Sequence, residues 1–242
     1  MFKINYGIDA PPVIGNLFFV GLFFLLVGVV GYHFINNAYK QFADSILDAF
    51  FIVFATNCIM CIFMILSSKY GKINVAKKLI ESLSLKGDEK ILDIGCGHGL
   101  LTILAAKKLN TGKVTGIDIW LQKDQFDNSQ NNVLKNLVLA EVQDKADILT
   151  CDMTCLNFPD KSFDVIVSSL AIHNVPKKED RKKVIQEISR VLKSGGKIAL
   201  LDLFFTKSYK KILEDLGWSN VKVSRPIFKI FPPVRIITGS KP

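Results

Sequence analysis

Residues 91–99 read ILDIGCGHG, and this stretch constrains the fold more than any other. Two apolar residues, an acid and three alternating glycines describe a strand that runs into a tight turn free of side chains. Glycine suits such a turn because the backbone takes φ > 0 there and a ligand can approach the main chain closely. A helix starting at Leu100 would offer its free N–H groups and positive dipole end to an anionic group. Spacing narrows the choice of ligand. A dinucleotide fingerprint needs G-x-G-x-x-G. Its third glycine would fall on Leu100 or on Thr102, so both registers fail. A phosphate-cradling P-loop fails as well, because no Gly-Lys-Ser/Thr follows. What is left is Asp93-x-Gly95-x-Gly97-x-Gly99. Its plain alternative is a glycine-rich βα turn that holds nothing.

Around this turn the chain alternates strand and helix patterns from Gly71 onward, which predicts a parallel α/β sheet. Strands are expected at 90–94, 113–119, 146–151, 163–168, 197–204, 220–224 and 235–239. Helices are expected at 74–83, 100–109, 129–141, 180–191 and 209–216. Ser194-Gly195-Gly196 reads as the turn into the fifth strand. Ligands of such sheets bind at the carboxyl ends of strands near a topological switch, where the glycine turn falls.

The first third of the chain is different. Residues 13–35 are 23 residues without Asp, Glu, Lys or Arg, and residues 45–66 are 22 residues with one acid, Asp48. A membrane span needs about 20 apolar residues. The expected organisation is an N-terminal tail (1–12), a transmembrane hairpin (13–67) and a third domain (68–242). The first run is too long for the apolar core of a signal peptide, and a second run follows it. Its length and lack of charge also argue against a buried soluble hairpin. Lys69, Lys72, Lys77 and Lys78 follow the second run, whereas the connecting loop holds Lys40 offset by Asp44. The positive-inside rule then places both termini and the third domain in the cytoplasm. His33 and Asp48 flank the loop and read as residues that snorkel to the interface.

Residues 1–70 carry no net charge, while the remainder holds 28 basic and 19 acidic residues. A basic domain beside a bilayer suits anionic headgroups, each nearby Lys or Arg being worth about 1 kcal/mol; a solvated lysine surface is the plain alternative. No interleaved aromatic and basic motif supports nucleic acid as a partner. The cysteines show no metal or disulfide spacing. Cys58 and Cys61 lie in the second apolar run, Cys96 in the glycine turn, and Cys151 and Cys155 lack partners. No metal is expected.

Asp118 closes the second strand, 19 residues after Gly99. An acid at that place can accept both ribose hydroxyls of an adenosine-containing ligand. Ile119 and Trp120 follow it, where they could meet an adenine face. The glycine turn, Asp118, Asp152-Met153 with the loop LNFPDKSFD, and the segment Ser168-Ser169-Leu170-Ala171-Ile172-His173-Asn174 occur in order. Together these resemble the class I S-adenosylmethionine-dependent methyltransferases over about residues 70–242. Residues 120–129 (WLQKDQFDNS) are similar to a membrane-anchored subset of that family. The resemblance implies a Rossmann-like fold with a seven-stranded, mostly parallel sheet between helices. It implies S-adenosylmethionine as cofactor and S-adenosylhomocysteine as product. It implies that Asp93 orients the turn and serves the ligand's amino group, that Asp152 accepts from the adenine amino group, and that the N–H of Met153 reaches a ring nitrogen. Gly95, Cys96, Gly97, Gly99, Ile119 and Ser169 complete the expected cofactor contacts. Amino-methyltransferases of DNA and of protein glutamine carry an Asn/Asp-Pro-Pro-aromatic tetrapeptide after the fourth strand. Ser169-Leu170-Ala171-Ile172 stands there, which argues against those substrates.

Methyl transfer is an in-line displacement, to which a protein contributes alignment and exclusion of water. A base is needed only when the nucleophile arrives protonated. His173 is the expected base, or else a positioning residue, with Asn174, Asp202, Tyr70 and Trp120 as further candidates on the substrate side. The expected activity is methylation of a small, hydrophobic or membrane-associated acceptor, a lipid included. The alternatives are an anchored enzyme acting on a protein or soluble metabolite, and an inactive cofactor-binding module of a membrane complex.

Overall fold

The computed structural model describes residues 4–35 and 39–242. Two long apolar helices come first, α1 (Pro11–Phe34) and α2 (Lys40–Leu66). Pro11 and Pro12 open α1, where a missing N–H costs nothing. The connecting loop, expected at 36–44, is shorter because α2 already begins at Lys40; residues 36–38 lie outside the described residues. The two helices pack through small residues. A Cβ on Gly21 would come within 2.9 Å of the Asn57 Cβ, and one on Gly28 within 2.7 Å of the Phe50 Cβ. Such close backbone approach is how apolar helices associate without a hydrophobic drive. Their outer faces stay bare of protein, with Phe19, Phe23, Phe51 and Ile52 all exposed. By length and composition both are candidate membrane spans.

The second of these helices does not end in a flexible linker. A π-helical turn, Ser67–Gly71, carries it into α3 (Lys72–Ser82). Gly71 is required there, because a Cβ would sit 1.9 Å from the Lys229 carbonyl oxygen. The Ser67 hydroxyl accepts from the Phe231 N–H at 2.8 Å, so the loop at 224–234 is fastened to the base of the hairpin.

Beyond α3 the chain forms β1 (Lys90–Ile94), α4 (Leu100–Ala106), β2 (Lys113–Asp118), α5 (Gln130–Leu139), β3 (Ala146–Thr150), β4 (Phe163–Ser169), α6 (Lys178–Val191), β5 (Leu192–Asp202), α7 (Thr206–Asp215), β6 (Lys222–Val223) and β7 (Arg235–Ser240). The sheet order is β3-β2-β1-β4-β5-β7-β6, with β7 alone antiparallel to its neighbours. This is the seven-stranded, Rossmann-like α/β sheet that the sequence predicts. Strand alternation divides the core. Ile91, Val165, Val167, Ala199 and Leu201 face α3, α4 and α5. Leu92, Ile94, Ile166, Ile198 and Leu200 face α6 and α7. Because both faces are covered, these strands read as nearly continuous apolar runs.

Boundaries move where local chemistry competes. β5 starts at Leu192 rather than 197, but Ser194-Gly195-Gly196 loops out of the β4 ladder, since Phe163 pairs with Leu192 and Val165 already pairs with Lys197. Gly195, at φ 75°, donates to the Lys241 carbonyl, and Lys241 donates back to Gly196. The strand stops at Asp202, two residues early, and Phe205 turns away at φ 62°. α4 ends at Ala106 rather than 109, and β6 keeps two residues of the five expected.

Candidate active site

The glycine turn lies between β1 and α4, at the point where the sheet order reverses. Gly95, Gly97 and Gly99 have φ of 68°, 50° and 82°, all in the region that favours glycine. There is also no room for a side chain. A Cβ on Gly95 would lie 2.2 Å from the Ala171 Cβ, and one on Gly97 would lie 2.4 Å from Gln125 Oε1. The N–H groups of Gly95 and Cys96 both donate to the Ile117 carbonyl, which ties the turn to the end of β2. Cys96 contributes only its backbone. Its thiol is buried against Gly116 and burial pushes it far up, so it is inert.

Asp118 holds the turn from the other side. Its Oδ2 accepts from the Gly97 N–H at 2.9 Å, and its Oδ1 accepts from the Trp120 N–H at 2.7 Å and Asn128 Nδ2 at 3.2 Å. A carboxylate has about four acceptor positions, so room for roughly one more donor is left. Beside it, Asn128 Oδ1 is buried with no partner at all. The two atoms offer two acceptors to a pair of neighbouring hydroxyls, which is what a ribose presents. Residue type alone did not single out Asn128. Its position in the loop after Asp118 was the available signal.

Asp93 lies on β1 under the turn, buried, with its Oδ2 accepting from the Thr102 hydroxyl at 2.6 Å. Burial raises its carboxyl to about 7. Asp152 lies two residues beyond β3 and forms an Asx turn in which Oδ1 accepts from the N–H and hydroxyl of Thr154. Asp124, not singled out from sequence, is also raised by burial, and Lys123 and His173 pull it partly back.

One cavity of about 890 Å³ gathers these groups. Asp93, Gly95, Cys96, Gly97, Asp118, Ile119, Asp152, Met153, Ser169, His173 and Asn174 all line it. Gly99 stands behind, as the left-handed residue that starts α4 against Val133. Asp202 is buried behind His173. Its Oδ1 lies 2.5 Å from His173 Nδ1, its Oδ2 accepts from the His173 N–H at 3.0 Å, and the Tyr209 hydroxyl donates to Oδ2 at 3.2 Å. Two further substrate-side candidates, like Asp202, are not part of the cavity lining. Tyr70 is 64% exposed on the π-helical turn and does not line the cavity. The Trp120 indole turns away to donate to Thr150 Oγ1 at 2.7 Å, drawn there by a local hydrogen bond. Lys72, counted from sequence among the lysines beside the bilayer, is instead buried and paired with Asp9 at 2.8 Å.

The opposite end of the cavity is apolar. Val13 and Leu17 of α1, Met60 and Met64 of α2, and Ile230 and Phe231 of the 224–234 loop complete its wall. Tyr6 and Asp9, from the segment expected to be a tail, line it too. Nothing in the hydropathy of these residues distinguishes them from their outward-facing neighbours, so a hairpin lining the substrate entrance could be read from sequence but none of these residues could be named.

A doubly wound sheet, a glycine turn at its switch point and an acid closing the second strand define an adenosyl-cofactor domain. Residues 92–200 match the methyltransferase domain family. The chain is 31% identical over 165 residues to demethylmenaquinone methyltransferase of Lactobacillus johnsonii, covering 68% of this chain and 60% of that protein. It is 35% identical over 131 residues to 27-O-demethylrifamycin SV methyltransferase of Amycolatopsis mediterranei, covering 54% and 44%. The chain thus spans less than two thirds of these relatives. Among solved structures, a SAM-dependent methyltransferase of Aquifex aeolicus superposes with TM-score 0.53 at 20% identity, over 68% of this chain and 88% of that one. Haemonchus contortus phosphoethanolamine N-methyltransferase 2, solved with S-adenosylmethionine, gives 0.57 at 16%, over 70% and 52%. At such identities the structures speak for the fold. The matched domain and the shared fold together support a class I S-adenosylmethionine-dependent methyltransferase, with S-adenosylmethionine as the cofactor.

The residues present fit that cofactor. The side-chain-free turn, the acceptor pair at Asp118 and Asn128, and the carboxyls of Asp93, Asp124 and Asp152 suit a cationic adenosyl ligand.

Proposed function

We propose that this protein is a membrane-anchored methyltransferase whose acceptor is a lipophilic small molecule that enters from the bilayer. The observation that carries this reading is the single cavity shared by the glycine turn and by the facing sides of α1 and α2. Two candidate spans that served only as a tether would have no reason to line it.

S-adenosylmethionine, when bound, supplies a methyl group on a positively charged sulfur. The chain's own residues do the rest. Asp93 and Asp118 fix the cofactor end, and the apolar wall from Val13 to Phe231 excludes water and holds the acceptor's apolar part. Because Asp202 accepts at Nδ1, the proton of a neutral His173 sits there and Nε2 is the basic nitrogen. His173 accepts the proton of an acceptor that arrives protonated, and Asp202 stabilises the resulting cation. That the Lactobacillus relative is named for demethylmenaquinone supports an acceptor with a lipid character.

The test is to incubate membranes containing the full chain with methyl-labelled S-adenosylmethionine. The reading expects label in the organic extract. Label confined to protein, RNA or water-soluble metabolites would overturn it.

A further inference from the structure

Ahead of α1, residues 5–10 are held to the rest of the protein by a set of polar contacts. Lys72, only 4% exposed, donates from Nζ to the carbonyls of Tyr6 and Gly7 and to Asp9 Oδ1, at 2.8, 3.1 and 2.8 Å. The Asp9 N–H donates to the Ser68 hydroxyl, Ala10 donates to the Asp124 carbonyl, and Phe126 donates to the Ile8 carbonyl. Asn136 Nδ2 donates to the Asn5 carbonyl at 2.8 Å. A buried ammonium whose partners all come from one segment makes removal of that segment costly, since the charge would be left uncompensated.

Gln125 connects this segment to the glycine turn. Its Nε2 donates to the Tyr6 carbonyl at 2.9 Å and to Asp9 Oδ1 at 3.2 Å. Its Oε1 accepts from the His98 N–H at 3.1 Å and occupies the space that a Cβ on Gly97 would need. Gly7 makes the approach feasible. It has φ 69°, and a Cβ there would meet Gln125 Cγ at 3.0 Å and His98 Nε2 at 3.2 Å.

We propose that residues 5–9 form a wall of the cofactor site, and that Gln125 is the positioning residue that couples this strap to the glycine turn. The proposal rests on the assignment of that turn to S-adenosylmethionine and goes beyond it, because it makes cofactor affinity depend on residues outside the methyltransferase fold. The strap runs directly into α1, so the wall of the cofactor site and the entry of the first apolar helix are one continuous piece of chain.

The experiment uses the full chain in lipid nanodiscs. S-adenosylmethionine binding is measured by calorimetry, and amide exchange of residues 5–10 is followed with and without it. Binding by the wild type tests the cofactor assignment, and the variants test the strap. The wild type is expected to show slower strap exchange with cofactor. Gln125→Ala is expected to raise Kd tenfold or more and to abolish that slowing. Gln125→Glu keeps the acceptor for His98 but sets a carboxylate against Asp9, and is expected to release the strap equally. Gly7→Ala sets a Cβ of the strap against Gln125 and His98, away from the sheet and its core, and is expected to weaken binding in the same way. Wild-type strap exchange indifferent to cofactor would overturn the proposal. So would Gln125→Ala and Gly7→Ala proteins that bind within twofold of the wild type.

Discussion

His173 Nδ1 and Asp202 Oδ1 lie 2.5 Å apart, and the same carboxylate also accepts the backbone N–H of His173. Two bonds from one buried acid fix both the tautomer and the orientation of the imidazole at the cavity wall. If His173 moves a proton, His173→Ala should lower kcat by about 10²- to 10⁴-fold, the usual worth of a positioned acid or base. Cofactor Kd should stay unchanged. Asp202→Asn should lower kcat and displace the pH–rate profile, because the base loses its partner. Steady-state rates against pH check both. A His173→Ala enzyme with full kcat would show that the acceptor needs no base.

Asp93 makes cofactor binding depend on pH. Burial raises its carboxyl from 3.8 to about 7. Its acid form is therefore favoured by folding, and the stability it lends is complete below about pH 4 and lost as pH rises through 7. A cationic group placed beside it favours the carboxylate instead. Binding of S-adenosylmethionine should expel a proton at pH 6–7 and tighten as pH rises across that window. Calorimetry in buffers of different ionisation enthalpy measures the proton count. Asp93→Asn should abolish the release.

The glycine turn tolerates no side chain. Gly95→Ala puts a Cβ 2.2 Å from that of Ala171 at φ 68°. The left-handed conformation alone costs about 1–2 kcal/mol in a residue with a Cβ, and the clash adds to it. Cofactor Kd should rise by more than tenfold, with the sheet still folded by circular dichroism.

Asn128 is the less expected partner. Its Oδ1 is buried without a donor, so a ligand hydroxyl that reaches it relieves an unsatisfied acceptor. Asn128→Ala should weaken S-adenosylmethionine by about 1 kcal/mol, or roughly fivefold, as titration calorimetry would read it. A ligand without ribose hydroxyls should bind wild type and variant alike.

The parts of this molecule that were legible in advance are those where one residue type has one physical use. The glycines of 95–99 fit only a left-handed turn, Asp118 closes a strand, and the 13–35 run has no charge. The strap was hidden, because Tyr6 and Asp9 gain meaning only from Lys72 and Gln125, more than 60 and 110 positions away in sequence. Lys72 misled in the same way, reading as a surface charge until its buried partners were in view. Trp120 and Tyr70 fell at suggestive places in sequence, but a hydrogen bond to Thr150 and an exposed π-helical turn took them out of the cavity. Gly195 turns the chain as its residue type suggests, while the bonds of Lys241 to Gly195 and Gly196 beside that turn are invisible in the sequence.

The central claim is that the acceptor meets the cofactor in the cavity whose apolar wall is built by the two long helices. Met60 and Met64 line that wall. The most direct measurement replaces both with Trp in the full chain, in membranes, and compares label transferred to the organic extract with cofactor Kd. Lipid-phase transfer should fall at least tenfold while cofactor affinity holds within twofold. Undiminished transfer from the doubly substituted protein would contradict the claim.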